Sequence, residues 1–183
     1  MSDYFYILGV PNFANYESSC SLLKLPKENG KIEYVSIGED RLTRIKNSYT
    51  FPLRGIDYCL NHFGLKGLDQ IDIMVTDFAR TPRWHNSGQA YQKLEHDYLK
   101  LKLNFPTDRI HIVDHHDAHA ASCFYPSGFD EAGVLIVDGM GSELNTQSGY
   151  HFEGSNITWQ EKGYDWGVGR LYSLVTGSIL PYG

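Results

Sequence analysis

The first forty residues alternate short apolar runs with polar turns, which predicts a meander of three strands. Residues 4–10 form an apolar run that is typical of a strand buried on both faces. Two further runs follow at 18–25 and 31–37, and the Lys-Glu-Asn-Gly segment between them indicates a hairpin turn. We therefore expect the chain to open with three consecutive strands.

Helical and strand-like patterns alternate after this meander. Apolar residues at helical spacing follow Pro52, which suits a first helical turn, and Gly64 is expected to end that helix. The next elements are predicted as a strand at 71–78, a helix at 89–103, a strand at 109–114 and a helix at 116–124. After a polar segment the pattern begins again, with strands at 133–138, 149–153 and 157–162 and a helix at 167–180.

The repeated order of elements predicts an α/β protein with the actin-like ATPase fold, in which two related halves clamp a nucleotide. On this interpretation residues 1–128 form the complete first subdomain and residues 129–183 begin the second. The second half stops after its first helix, so we expect a fragment or a truncated part of a larger enzyme.

Composition narrows the class of protein. Hydrophobic residues make up 42% and charged residues 21%, as in an ordinary globular protein. The net charge of -6 argues against a nucleic-acid partner, which would need a basic face. Three scattered cysteines, an N-terminus without signal-peptide features and no run of about 20 apolar residues predict a soluble cytoplasmic protein without a membrane partner.

The strongest chemical signal is the run from Asp114 to His119, which holds three histidines at a predicted strand end. Residues at i and i+4 share one helix face, so His115 and His119 could present two imidazoles to one metal ion. His111 lies inside the strand pattern, where that spacing does not bring rings together. The alternative is that these are helix-capping and core histidines, and the nearby carboxylates favour the metal site.

Asp138 is the third candidate ligand because it ends a strongly apolar strand, and ligands bind at strand ends in open α/β sheets. Such an aspartate could instead cap a helix or form a turn. Gly139 and Gly141 follow it in a turn through which backbone N–H groups could approach phosphate. A second glycine pair, Gly167 and Gly169, opens the last helix and indicates either a phosphate cradle or close packing against a strand.

These residues resemble the NodU/CmcH-type O-carbamoyltransferase family, and the similarity runs over most of the chain. The stretches that carry it are EDRLTRIK at 39–46, HHDAHAAS at 115–122, FDEAGVLIVDGMG at 129–141 and GRLYSLVTG at 169–177. The mixed charge run at 39–46 could otherwise be a solvated face.

The resemblance implies an actin-like domain related to the tRNA threonylcarbamoyl-adenosine (Kae1) enzymes, with a YrdC-like domain behind it. That second domain makes carbamoyl-adenylate from carbamoyl phosphate and ATP. The actin-like domain passes the carbamoyl group to a hydroxyl of a sugar, antibiotic or nodulation-factor-like acceptor. Nothing in this chain resembles the YrdC-like domain, so the fragment alone is expected to be inactive and to need the C-terminal remainder of the enzyme.

The resemblance also implies roles for single residues. A divalent metal, iron by resemblance and otherwise Mn, Co or Zn, would be held by His115, His119 and Asp138. Lys46 would lie near the adenylate or carbamoyl group. The nucleotide would be contacted by Gly139, Gly141, Gly169 and Tyr172.

Two departures from the family pattern affect these roles. Tyr16 and Glu17 replace a His-Asp pair that can serve the acceptor hydroxyl, and Glu17 is the remaining candidate base. Ser142 stands where the family has a glutamate, with Glu143 one place later. Acceptor pockets in this type of enzyme lie on loops, and the loop at 80–88 is one candidate, although the acceptor itself cannot be read from the sequence. Two alternatives stay open: a Kae1-like threonylcarbamoyl transferase for tRNA, and a non-catalytic metal- or nucleotide-binding module.

Overall fold

The computed structural model describes residues 3–11, 18–46, 50–78, 97–165 and 167–179. Two sheets and their flanking helices account for most of these residues, and residues 97–103 are also helical. The strands are β1 (Tyr4–Val10), β2 (Ser19–Pro26), β3 (Glu33–Gly38), β4 (Ile73–Phe78), β5 (Ile110–Asp114), β6 (Glu131–Val137), β7 (Gln147–Glu153) and β8 (Asn156–Gly163). The helices are α1 (Glu39–Thr43), α2 (Leu53–His62), α3 (His115–Phe124) and α4 (Val168–Ile179).

The first sheet has the strand order β3-β2-β1-β4-β5. The predicted meander is confirmed, because β1 pairs antiparallel with β2 and β2 pairs antiparallel with β3. The chain then passes through α2 and returns as β4, which runs parallel to β1. Parallel strands need a crossover connection, which usually contains a helix. This order, followed by a second antiparallel meander, confirms the predicted α/β class and actin-like fold.

Burial along β1 corrects one expectation. Tyr6, Leu8 and Val10 are buried, whereas the residues between them are only half-buried. The strand is therefore fully buried on one face only. The reason is that the buried core cluster lies on that face, where it includes Ile56 and Leu60 of α2.

The charged run after β3 contains a buried carboxylate. Glu39 is only 3% exposed, and its side chain accepts hydrogen bonds from the backbone N–H groups of Gly55, at 2.8 Å, and Arg54, at 3.4 Å. These groups belong to the first turn of α2, where backbone N–H groups have no partner within the helix. Glu39 therefore fastens α1 to the start of α2, a structural role that the charge pattern did not predict.

The second sheet is the antiparallel meander β6-β7-β8. Helix α3 covers one of its faces, and Ala120 and Phe124 pack there against Ile136, Tyr150 and Phe152. The rings of Phe124 and Phe152 are stacked with their centroids 4.4 Å apart. A small separate core therefore holds the helix that carries the histidine motif.

The described residues form two compact units, which divide the chain after Ile112. The first unit contains the described residues up to Asp77 and residues 97–112, and the second unit contains Phe78 and residues 113–165 and 167–179. Helix α3 groups with the second unit because it packs on β6 and β7. The subdomain boundary at 128 and 129 stays a prediction. In the described part of the chain, no helix is both long and apolar enough to cross a bilayer.

Candidate metal centre

The first turn of α3 is fixed by two polar side chains. Asp114 is the N-cap residue, and its carboxylate accepts hydrogen bonds from the backbone N–H groups of His116, at 2.9 Å, and Asp117, at 3.2 Å. The N–H of His115 donates instead to Ser142 Oγ, at 2.8 Å. The N–H groups of the first three helical residues are therefore all satisfied by protein side chains. This arrangement ties the histidine motif to the loop after β6.

The predicted ligands lie together within the second unit. His115 and His119 are one turn apart on α3, and their Nε2 atoms are 3.1 Å apart. Asp138 follows β6 directly, and its Oδ2 lies 2.9 Å from His115 Nε2 and 3.8 Å from His119 Nε2. All three ligand atoms are within 4.8 Å of one another. We call these three residues the ligand trio.

The ligand trio cannot satisfy all of its own close contacts by hydrogen bonds. A neutral imidazole nitrogen offers either one N–H or one lone pair. His115 Nε2 nevertheless has two short contacts, with Asp138 Oδ2 and with His119 Nε2, and a single proton cannot serve both. Two neutral imidazoles and one carboxylate are a donor set that suits Fe, Mn, Co or Zn. The residues present therefore fit a divalent transition-metal ion, which would replace the missing proton.

A buried polar network lies behind the ligand trio. The ring of His116 is fully buried, and its Nδ1 lies 2.6 Å from Asn145 Nδ2 and 2.8 Å from Ser148 Oγ. Burial lowers the pKa of His116, and the attraction of Asp138 and Asp114 offsets this only in part. The neutral ring is therefore favoured. The sequence interpretation missed this network, although His116, Ala120 and Phe124 form the buried stripe of α3 at a spacing of four residues.

The loop after β6 is shaped by its own backbone and by His116. Gly141 N–H donates to the carbonyl of Asn145, at 2.7 Å, and Gly139 N–H donates to Asp138 Oδ1, at 2.6 Å. A Cβ at Gly141 would lie 2.8 Å from His116 Nε2 and 2.6 Å from Asn145 Oδ1, so only glycine fits there. Among the described residues, a Cβ at Gly139 would meet nothing within 4 Å. Gly141 therefore serves close packing, and Gly139 has open space beside it.

The remaining predicted site residues are spread more widely. A Cβ at Gly169 would lie 2.6 Å from the carbonyl oxygen of Asp138, which supports the close-packing interpretation of this helix start. Tyr172 is exposed on α4, one turn later. Lys46 is exposed in the first unit, beyond α1. Glu17 and the loop at 80–88 lie outside the described residues.

Lys162 on β8 joins the start of α3 to the loop. Its Nζ lies 3.4 Å from Asp114 Oδ2 and 3.5 Å from Glu143 Oε2. Burial alone would lower the pKa of Lys162, but the attraction of Asp114, Asp117 and Glu143 outweighs it and raises that pKa. Lys162 is thus charged at neutral pH. No local pattern marks it, because its partners lie far away in the sequence.

Comparisons with known proteins give one matching family model and two curated relatives. The family model described as "Carbamoyltransferase N-terminus" matches residues 86–182, a little over half of the chain. Protein sll1178 of Synechocystis sp., described as uncharacterized, is 32% identical over 201 residues, covering 93% of this chain and 31% of that protein. The nodulation protein NolNO of Sinorhizobium fredii is 29% identical over 150 residues, covering 73% of this chain and 21% of that protein. The chain thus spans about a third or less of these relatives.

Two solved structures also resemble the chain. YeaZ from Pseudomonas aeruginosa superposes with a TM-score of 0.47 at 13% identity and covers 98% of this chain and 71% of that one. An uncharacterized protein with similarity to peptidase YEAZ from Pseudomonas aeruginosa gives a TM-score of 0.44 at 12% identity, with coverages of 86% and 66%.

Proposed function

The chain belongs to the carbamoyltransferase family, and from that premise we propose that it is the N-terminal part of an O-carbamoyltransferase. The proposed reaction moves the carbamoyl group of carbamoyl-adenylate, made from carbamoyl phosphate and ATP, to a hydroxyl of a sugar, antibiotic or nodulation-factor-like acceptor. The observation that best supports it is the ligand trio, which lies entirely within the segment matched by the family model.

The ligand trio fits a divalent metal ion. His115 and His119 would each bind through the Nε2 lone pair, and Asp138 would bind through Oδ2, because Gly139 N–H already holds Oδ1. A metal ion bound there would supply Lewis-acid polarisation to the activated carbamoyl group or its phosphate. With both rings neutral, the ligand trio carries one negative charge, which leaves a divalent ion with net positive charge to attract an anionic substrate.

The loop after β6 is the proposed contact for the nucleotide. The open space beside Gly139 would let a phosphate oxygen approach the backbone closely. Gly141 and Gly169 would support this loop from either side, since each packs against a neighbouring group. Tyr172, Lys46 and Glu17 are proposed from family resemblance as contacts of the nucleotide, the carbamoyl group and the acceptor hydroxyl.

The metal site is tested by metal content and by Co²⁺ titration of the purified chain, followed through the visible spectrum of bound cobalt. We expect about one ion per chain and a spectrum typical of nitrogen and oxygen ligands. His119→Ala should lose the ion. His111→Ala is the matched control, because His111 is an exposed histidine on β5, outside the ligand trio. Equal Co²⁺ affinity in the two variants would refute the proposed metal site.

The substrate class is tested separately with a non-hydrolysable carbamoyl-adenylate analogue added to the cobalt-loaded chain. Binding close to the ion should change the cobalt spectrum, and Gly139→Ala should weaken that response without weakening Co²⁺ binding. A chain that binds Co²⁺ but shows no response to the analogue at millimolar concentration would contradict the adenylate as substrate.

A further inference from the structure

His116 carries a buried ring nitrogen without a hydrogen-bond partner among the described residues. This nitrogen, Nε2, lies 4.0 Å from Asp138 Oδ2, and the side chain of His116 is 0% exposed. Buried polar groups nearly always have a partner. An unsatisfied group aimed at the ligand trio therefore calls for an explanation.

The tautomer of His116 follows from Asn145. The Oδ1 atom of Asn145 accepts the backbone N–H of Glu143, at 3.3 Å, which fixes the orientation of the amide. Asn145 Nδ2 is then a donor, and it lies 2.6 Å from His116 Nδ1 and 2.9 Å from Ser148 Oγ. His116 Nδ1 must accept, so the proton of the neutral ring lies on Nε2. The unpartnered atom is thus an N–H donor.

We propose that His116 is a positioning residue, whose Nε2–H holds Asp138 Oδ2 when a divalent cation occupies the ligand trio. This inference rests on the proposed metal site. A cation takes the lone pair of His115 Nε2, which then has no proton to donate to Asp138. Gly139 N–H already holds the other carboxylate oxygen. His116 Nε2–H is left facing Oδ2, and the separation must shorten by about 1 Å to form the hydrogen bond.

The proposed role explains two further features. Ligand carboxylates and imidazoles are usually oriented by hydrogen bonds from a second layer of residues. Asn145 and Ser148 are both buried and both contact His116, so together they hold the tautomer and the ring orientation. Gly141 leaves room for the imidazole edge, since any side chain there would meet His116 Nε2 and Cδ2.

The tautomer is tested first, in the cation-free chain, by long-range proton–nitrogen NMR of its imidazoles. We expect His116 to carry its proton on Nε2. On addition of Zn²⁺, which is diamagnetic, that proton should shift downfield and exchange more slowly with water as its hydrogen bond to Asp138 forms. A proton on Nδ1, or an Nε2 proton that does not respond to bound Zn²⁺, would overturn the inference.

Two variants then separate positioning from packing. In His116→Gln the amide nitrogen can reach the place of Nε2, whereas the shorter His116→Asn reaches only the place of Nδ1. We expect Co²⁺ affinity to fall by about 10- to 100-fold in His116→Asn and to stay close to that of the wild type in His116→Gln. Circular dichroism shows whether each variant is folded. If His116→Asn does not fold, the NMR experiment on the unsubstituted chain decides the question.

The results distinguish this inference from the metal site on which it rests. If the wild type binds Co²⁺ and His119→Ala does not, the metal site holds. Equal affinities of His116→Asn and wild type, or equal losses in His116→Asn and His116→Gln, would then refute the positioning role alone. If the wild type binds no Co²⁺, both the metal site and the positioning role fail.

Discussion

Replacing Gly141 with alanine places one methyl group against two fully buried side chains. The new Cβ would lie 2.6 Å from Asn145 Oδ1, 2.7 Å from His116 Cδ2 and 2.8 Å from His116 Nε2, all inside van der Waals contact. Neither neighbour can swing into solvent, because both are 0% exposed. Overpacking of this kind costs about 1–3 kcal/mol. For a chain of this size the melting temperature should fall by roughly 2–12 °C.

Gly139→Ala is the matched control for this substitution. It adds the same methyl group to the same loop, but no described part of the chain lies within 4 Å of the Cβ position at Gly139. Its effect on the free energy of unfolding should stay within about 0.5 kcal/mol. Thermal unfolding followed by circular dichroism gives both values. Equal melting temperatures for the two variants would refute the packing of the loop against His116.

Three further substitutions test the second unit. Asp114→Ala removes the N-cap of α3 and should lower the free energy of unfolding by about 1 kcal/mol in urea denaturation. Asp114→Asn keeps a side-chain acceptor and should retain most of that stability. Equal losses in the two variants would contradict the capping role. Phe152→Ala removes the ring stacked on Phe124 and should cost about 3–5 kcal/mol in the same assay, and a cost below about 1 kcal/mol would argue against this core. Burial, and then the hydrogen bond to Asp117, raises the pKa of Tyr150, so folding favours the neutral phenol. That stability is present below the unfolded pKa of about 10 and is lost as the pH rises beyond it. Tyr150→Phe should therefore melt lower at neutral pH but lose less stability above about pH 10, and parallel pH profiles for the two proteins would refute this.

Local periodicity predicts most elements of this fold, although it misses α1, and it does not predict their long-range contacts. Residues 4–10 form β1 as predicted, and α2 starts after Pro52 and is followed by Gly64 at a φ of 68°, a conformation that glycine adopts without strain. The buried role of Glu39 could not be predicted in the same way. Its partners are backbone groups 15 and 16 residues away, which come close only after the sheet and α2 have packed.

In the candidate site, too, the residues with a local sequence signal could be predicted and those with only long-range contacts could not. The spacing of His115 and His119 and the strand-end position of Asp138 are local signals, and the structure brings these residues together. Asn145 and Lys162 contact the site across the sheet, and nothing near them in the sequence indicates it. Only part of the role of His116 could be predicted from the sequence. Its burial follows from the stripe that it shares with Ala120 and Phe124, but the lack of a hydrogen-bond partner for its Nε2 among the described residues could not be predicted.

The positive end of the α3 dipole has no free donors in its first turn. Helix N-termini often bind phosphate through such donors, yet here Ser142 and Asp114 accept all three N–H groups. If the proposed metal site and nucleotide contact hold, an anionic substrate that reaches this end of the helix would be held by the charge of the metal ion and by the loop around Gly139. The affinity of the protein for that substrate should then depend on which cation is bound, so that changing the cation would change substrate binding without any change in the polypeptide.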